Sequence, residues 1–261
     1  MGGSTVKNLK YLLKFGERPH LEELVKGSLY CSDAKTFWGI EDKLKIKGQG
    51  DILEAGSKVF AQRMMMQAHG SYKATEINVP SNVLVHFEPA EHIPVFCLFA
   101  VYEDDCVLDT DGHYKINLSK DKQKTIKEHF PKADSVAIIN DPEQFLKDIM
   151  SYIGCEVKHE GVHYFHIDKG LEIEGSNQRA MDMEYMKYLM QDVPPVIKDG
   201  KKTYSFHADY AFRALFCKDV FFSDEQEYRI VLPHEKISKG TNYPVELSEN
   251  IKILSLSEFF K

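Results

Sequence analysis

The segment Phe222-Ser-Asp-Glu-Gln-Glu-Tyr-Arg-Ile-Val-Leu-Pro233 concentrates the residue types best able to do chemistry in this chain. Read as a strand from Gln226 to Leu232, it alternates faces, so that Glu225, Glu227, Arg229 and Val231 share one side while Tyr228, Ile230 and Leu232 share the other. Two carboxylates and a guanidinium on one wall can grip the hydroxyls of a ribose, or stabilise positive charge on a sugar as a group leaves its anomeric carbon. The same spacing also describes a solvated face on an edge strand, where charges discourage aggregation.

A second string, His159-Glu160-Gly161-Val162-His163, satisfies the His-Glu-x-x-His pattern of zinc peptidases. That chemistry needs a helix, because only i and i+4 spacing brings both imidazoles to one metal. Gly161 inside the string, and the alternating flanks Cys155-Glu-Val-Lys and Tyr164-Phe-His-Ile, point instead to a hairpin with a Glu-Gly turn. His166 and Asp168 could then add metal ligands only from strands, and no metal is expected. Cys31 is the best candidate for a thiol nucleophile, yet its place between Tyr30 and Ser32 reads more simply as a small buried residue. Gly48-Gln-Gly50 lacks the continuation of a phosphate-binding loop, and no Gly-x-Gly-x-x-Gly string occurs.

These residues need elements to hold them. Asn8 to Phe15 reads as a strand ending at Gly16, and Pro19 to Lys26-Gly27 as a helix with proline early and glycine behind. Ser28 to Ser32 reads as a short strand, and Asp33 as the N-cap of a helix carrying Ala34, Phe37 and Trp38. Lys43 to Gly56 is a polar loop bearing Asp51 and Glu54. Lys58 to His69 is expected to be helical, its Met64-Met65-Met66 cluster being core packing. Strands are expected at Thr75–Val79, Val83–Phe87, Pro94–Tyr102, Asp134–Asn140 and Val162–Ile167, and helices at Pro142–Ile153, Met181–Met190 and Ala208–Cys217. Lys218 then reads as a solvated cation at a helix end.

The chain's 261 residues suffice for one large domain. A hydrophobic fraction of 43% and a charged fraction of 28% are ordinary for a globular protein. No apolar run approaches the ~20 residues of a membrane helix. The net charge of -7 argues against broad electrostatic binding of nucleic acid, without excluding a local basic patch. Five scattered cysteines, none in Cys-x-x-Cys spacing, read as reduced thiols, so a cytoplasmic setting is expected. Met1-Gly-Gly-Ser4 has no signal-peptide character and reads as an added start.

Tyr11-Leu-Leu-Lys-Phe-Gly16, the helix from His20, Gly27-Ser-Leu-Tyr-Cys-Ser32 and Lys218-Asp-Val-Phe-Phe-Ser-Asp-Glu-Gln-Glu-Tyr-Arg229 together resemble a broad group of uncharacterised bacterial and phage proteins, and through it the ADP-ribosyltransferase superfamily. The resemblance covers about a quarter of the chain. It implies a single α+β domain with a split mixed sheet and flanking helices, residues about 72–204 forming an unplaced middle region or insertion. It further implies NAD as substrate. On this likeness Lys14, Phe15, Gly16, His20, Tyr30, Ser32 and Arg229 contact NAD, with His20 or Arg18 standing in where Lys14 departs from the usual arginine or histidine. Glu227 takes the catalytic position, and Glu225 orients or deprotonates the acceptor. Arg229 either binds a phosphate or pairs with Glu225. The resemblance assigns no role to Asp51 or Glu54. The acceptor implied is a macromolecule, protein or nucleic acid, in the setting of a toxin or of phage conflict, with an antitoxin or regulatory protein as partner and no membrane. Two alternatives stand beside it: a catalytically inactive member that binds a nucleotide or partner, and the zinc hydrolase.

Overall fold

The computed structural model describes residues 8–44, 51–61, 64–67, 73–77, 81–176, 179–203, 205–248 and 250–261. The first four elements follow the expected order: β1 (Leu9–Gly16), α1 (Arg18–Val25), β2 (Ser28–Cys31) and α2 (Ala34–Leu44). Asp33 Oδ1 accepts from Thr36 N at 2.9 Å, the expected N-cap. Gly27 turns the chain after α1 at φ 85°, where a Cβ would lie 1.9 Å from the carbonyl of Val245.

The next stretch departs from expectation. In place of a helix over Lys58–His69, the chain forms β3 (Gly56–Ala61) and β4 (Met64–Gln67), followed by β5 (Ala74–Ile77) and β6 (Ser81–His86). β3 pairs antiparallel with β6 from Gly56↔His86 to Ala61↔Ser81, and β4 with β5. The helical preference of Ala, Gln and Met is worth only tenths of a kcal/mol per residue, and a six-residue ladder with Val59 and Phe60 in it outweighs that. The side chains of Met64, Met65 and Met66, like Asn78 and Val79 of the expected Thr75–Val79 strand, lie outside the described residues.

β7 (Val95–Tyr102), the hairpin β8 (Cys106–Leu108) and β9 (Tyr114–Ile116), α3 (Lys120–His129), β10 (Ser135–Ile139) and α4 (Pro142–Tyr152) come next. Then follow β11 (Lys158–Gly161), β12 (His163–Phe165), β13 (Leu171–Glu172), β14 (Arg179–Ala180), α5 (Met183–Leu189) and the hairpin β15 (Val196–Lys198) and β16 (Lys201–Thr203). The chain closes with β17 (Cys217–Asp219), β18 (Glu227–Val231), β19 (Thr241–Pro244), β20 (Lys252–Ser255) and α6 (Leu256–Phe259).

The fold is mixed α and β around a six-stranded sheet of order β11-β18-β7-β1-β10-β20. Every pairing in that sheet is antiparallel. The expectation of a mixed sheet is thus met only in part: the parallel pairing among the described residues joins β12 to β17, apart from the main sheet. Three of the six strands, β7, β10 and β11, come from residues 72–204, so that stretch builds the centre of the fold. One face of the sheet carries Leu12, Leu98, Tyr228 and Ile230 against Leu21 and Leu24 of α1 and Phe145, Leu146 and Ile149 of α4. Alternation along the strands places Glu227, Arg229, Cys97 and Phe99 on the other face.

The sheet opens at its middle. The β1–β7 ladder ends at Leu13↔Phe99. Beyond it, Lys14 to Gly16 follow β10, while Val95 to Leu98 follow β18. Lys14 Nζ donates to the carbonyl of Cys97 at 2.6 Å and lies 4.7 Å from the centre of the Phe96 ring. β2, paired with β19, meets β7 through a bridge of Ser32 and Val95.

Candidate functional site

A cavity of about 330 Å³ lies where β1 and β7 part, within the range of small-ligand sites. Its walls come from elements remote in sequence. Lys14 and Phe15 arrive on β1, Tyr30 and Ser32 at the end of β2, Phe37 on α2, Asp51 and Glu54 on a turn, His129 and Phe130 at the end of α3, and Lys218, Phe222, Glu225, Glu227 and Arg229 from the C-terminal part.

Arg229 is the hub. Its guanidinium is 1% exposed and takes a bidentate pair with Glu54, with Nη2 to Oε2 at 2.8 Å. It forms a second fork with Glu227, Nε to Oε1 at 2.8 Å and Nη2 to Oε2 at 3.0 Å, and also donates to the carbonyl of Leu215. A planar cation with five donors suits two carboxylates at once. Burial alone would raise the pKa of Glu227, but the neighbouring guanidinium and the Lys218 ammonium overcome it and hold the carboxyl well below its usual range. The same two-sided account applies to Lys218, where burial opposes the charge and Glu227 and Glu225 more than restore it, leaving the ammonium firmly protonated.

Lys218 is therefore no solvated helix-end cation. It sits on β17, buried at 7% exposure, with Nζ 2.5 Å from Glu225 Oε2 and 3.3 Å from Glu227 Oε2. Its neighbour Asp219 anchors the segment, accepting from Ile167 N at 3.1 Å and Asp168 N at 2.8 Å. The ammonium also lies 4.2 Å from the centre of the Phe222 ring.

Glu225 and Glu227 are not two residues of one strand. Glu225 ends a 3-10 turn spanning Val220–Glu225, and Gln226 then adopts φ 42°, ψ 45°, left-handed backbone that is uncommon for a residue with a side chain. Its amide Nε2 holds this kink by donating to Ala100 O at 2.9 Å and Asp105 Oδ2 at 2.8 Å. Lys218 then joins the two carboxylates. His129 Nδ1 lies 3.0 Å from the other Glu225 oxygen, without hydrogen-bond geometry. The backbone N–H of Glu227 donates to Tyr164 Oη at 2.9 Å, which fixes the start of β18.

The turn bearing Asp51 and Glu54 is itself buried. Trp38 Nε1 donates to the Glu54 carbonyl at 2.8 Å, His86 Nε2 lies 2.7 Å from the carbonyl of Ile52, and the indole and imidazole rings stack with centres 3.9 Å apart. Asp51 Oδ1 accepts from Leu53 N at 2.9 Å, and among the described residues Oδ2 has no hydrogen-bond partner. Burial pushes the Asp51 carboxyl up to about 7, Lys218 opposing this and Glu54 adding to it.

Of the expected site residues, Glu225, Glu227, Lys14, Phe15, Tyr30, Ser32 and Arg229 meet at this cavity. Gly16 ends β1 with its backbone against Leu21 and does not line it. His20 and Arg18 lie exposed on α1, Arg18 paired with Glu22, and neither is among the residues lining the cavity. Arg229 pairs with Glu54 and Glu227 rather than Glu225. Asp51, Glu54, Lys218 and His129 complete the cluster. Glu54 and Arg229 are 175 residues apart, a separation that leaves no local pattern in the sequence.

The His159–His163 string is extended, as its composition suggests, but it is not a hairpin: β11 pairs with β18 while β12 pairs with β17. His159 Nδ1 bonds Tyr228 Oη at 2.8 Å, and the His163 ring packs on Tyr188 at 4.4 Å. Cys31 is buried in the core beneath α1, its thiol pushed up to about 12 by burial. Comparisons with family models, with curated proteins and with solved structures give no match to this chain.

Proposed function

We propose that this protein is an NAD-dependent ADP-ribosyltransferase acting on a macromolecular acceptor. The observation that carries the reading is convergence: Lys14, Tyr30 with Ser32, and Glu227, which the resemblance singles out on three separate segments, line one cavity at a split between antiparallel strands. The wall chemistry fits the substrate. Lys14 has no carboxylate within ion-pair distance among the described residues and offers its charge to a phosphate. Tyr30, Phe37 and Phe222 supply flat apolar surface for a nicotinamide ring. Glu227, held rigid by Arg229 and Lys218, lines the cavity with its carboxylate, the charge that would face the ribose.

In this reading NAD supplies an activated glycosidic bond. The chain's residues hold the ribose, place negative charge beneath its anomeric carbon through Glu227, and orient the acceptor through Glu225. A preorganised carboxylate costs no rearrangement during reaction, and the Arg229 and Lys218 contacts provide that rigidity. The setting is cytoplasmic, in toxin action or phage conflict, with a regulatory protein as partner. Among the described residues no helix is long and apolar enough to cross a membrane.

One observation favours a second reading, an inactive member that binds nucleotide or partner: Glu227 already accepts from Arg229 through both oxygens. Nicotinamide release separates the two. Incubation with NAD labelled in the adenylate half, alone and with cell lysate, is expected to release nicotinamide and to label protein or nucleic acid. Glu227→Gln is expected to reduce release at least about 100-fold while leaving the circular dichroism unchanged. A wild-type protein that binds NAD and releases nothing would establish the inactive reading.

A further inference from the structure

Asp51 and Glu225 are the carboxylates of the cavity that Arg229 does not hold, and their surroundings differ. Glu225 is paired through one oxygen with Lys218 Nζ at 2.5 Å, and His129 Nδ1 lies 3.0 Å from the other without hydrogen-bond geometry. Asp51 is 3% exposed, lines the cavity, and has no hydrogen-bond partner for Oδ2 among the described residues. A buried carboxylate oxygen left without a donor is uncommon and costs free energy, which is a reason to look for a role.

The geometry points to Asp51 as the general base of the site, the group that takes the proton of the attacking acceptor, in place of Glu225. This rests on the reading of the cavity as an NAD site. The acceptor atom forms its bond to C1 of the ribose, the bond from C1 to the nicotinamide nitrogen breaks with its electron pair leaving on nicotinamide, and the acceptor's proton passes to Asp51 Oδ2 and then to water. Water in place of a macromolecule gives NAD hydrolysis with the same balance.

The charges around Asp51 suit the task. Glu54 on the same turn raises its proton affinity, Lys218 on β17 and Arg229 on β18 lower it, and burial outweighs them. The resulting value of about 7 places the group where it both loses and regains a proton near neutrality, the condition for an efficient base. Glu225 and Glu227 share Lys218 with it, while Lys14 on β1 and His129 on α3 complete the charged lining. The turn holding Asp51 is fixed from outside by Trp38 and His86, so the carboxyl does not depend on its own ionisation for placement.

The test compares nicotinamide release by the wild type, Asp51→Asn and Glu225→Gln as a function of pH, with NAD affinity measured by equilibrium dialysis. Asparagine retains an oxygen for the Leu53 N–H, so folding is expected to survive. Wild-type kcat/KM is expected to rise through about pH 7, and Asp51→Asn to lose about 100-fold or more in kcat and the ascending limb with it, NAD affinity staying within about threefold. A limb that persists in Asp51→Asn, or that vanishes in Glu225→Gln instead, overturns the proposal. If the wild type releases no nicotinamide at any pH, the transferase reading falls by itself. Carboxyl NMR of the 13C-aspartate-labelled protein then decides on Asp51. A resonance titrating near neutrality and missing from Asp51→Asn retains it as a proton-exchanging group of the cavity, and its absence removes it.

Discussion

The two faces of β18 solve opposite problems with adjacent residues. Ile230 and the ring of Tyr228 enter an apolar core beneath α1 and α4, where burial of apolar surface stabilises and, at Ile230, any hydrophobic group of similar volume would serve. Glu227 and Arg229, one residue over on each side, enter a buried network of opposite charges with Glu54 and Lys218. Such a network returns little net stability, because desolvating the ions cancels most of their attraction. Well-packed hydrocarbon would hold this fold at least as well. The charged face therefore points to a demand other than folding, and the two faces should respond differently to truncation, pH and repair.

The largest effect is expected at the hub. Arg229→Met leaves Glu54 and Glu227 buried without their shared cation and should cost about 3–5 kcal/mol by urea denaturation at pH 7, with Glu54→Gln added to it recovering part of the loss. Acid should shrink the penalty. The folded-state pKa of Glu227 is depressed, so its favourable interaction is present above the unfolded value near 4 and lost as pH falls below it. Ile230→Ala on the opposite face should cost about 2–4 kcal/mol through lost burial and a cavity, with no dependence on pH. If Arg229→Met and Ile230→Ala show the same pH profile, the contrast between the faces is wrong.

Asp51 carries a smaller effect of opposite sign. Its folded pKa, about 7, is raised above the unfolded value near 4, so the stability tied to its protonated form is complete below about pH 4 and disappears as pH rises through 7. Asp51→Asn should therefore be as stable as the wild type near pH 4 and more stable by roughly 1–3 kcal/mol near pH 8, as read from denaturant midpoints. A stability gain beside a loss of turnover would mark a group kept for function. The smallest effect is expected on α1, where His20→Ala should change nicotinamide release by less than about twofold, since an exposed side chain outside the cavity contributes little.

Much of the frame is legible in the residues. β1, α1, β2 and the cap of α2 carry their own signals: an apolar run stopped by glycine, proline at a helix start, a left-handed glycine behind, Asp33 before Ala34. The Lys58–His69 segment was not legible, because its local preference for helix is weak and the strand partner of β3, Ser81–His86, lies beyond the intervening β4–β5 pair. Alternation correctly paired Glu227 with Arg229. It failed at Glu225, since a side-chain amide holding Gln226 in left-handed backbone has no signature in the local string.

The sequence by itself determined the ingredients: a strand with alternating faces, a carboxylate pair, a cation on the first strand, and the helices that pack beneath them. Only the tertiary structure decided the electrostatics. Whether Lys218 is a surface charge or the clamp between two carboxylates, and whether Asp51 is a loop acid or a buried carboxyl, depends on what lies within a few ångströms after folding, and those neighbours come from segments far apart along the chain. Periodicity reports which face a residue takes, because that is fixed by backbone geometry within a few residues. Charge state is set by burial and by partners across the whole chain, which no local pattern encodes.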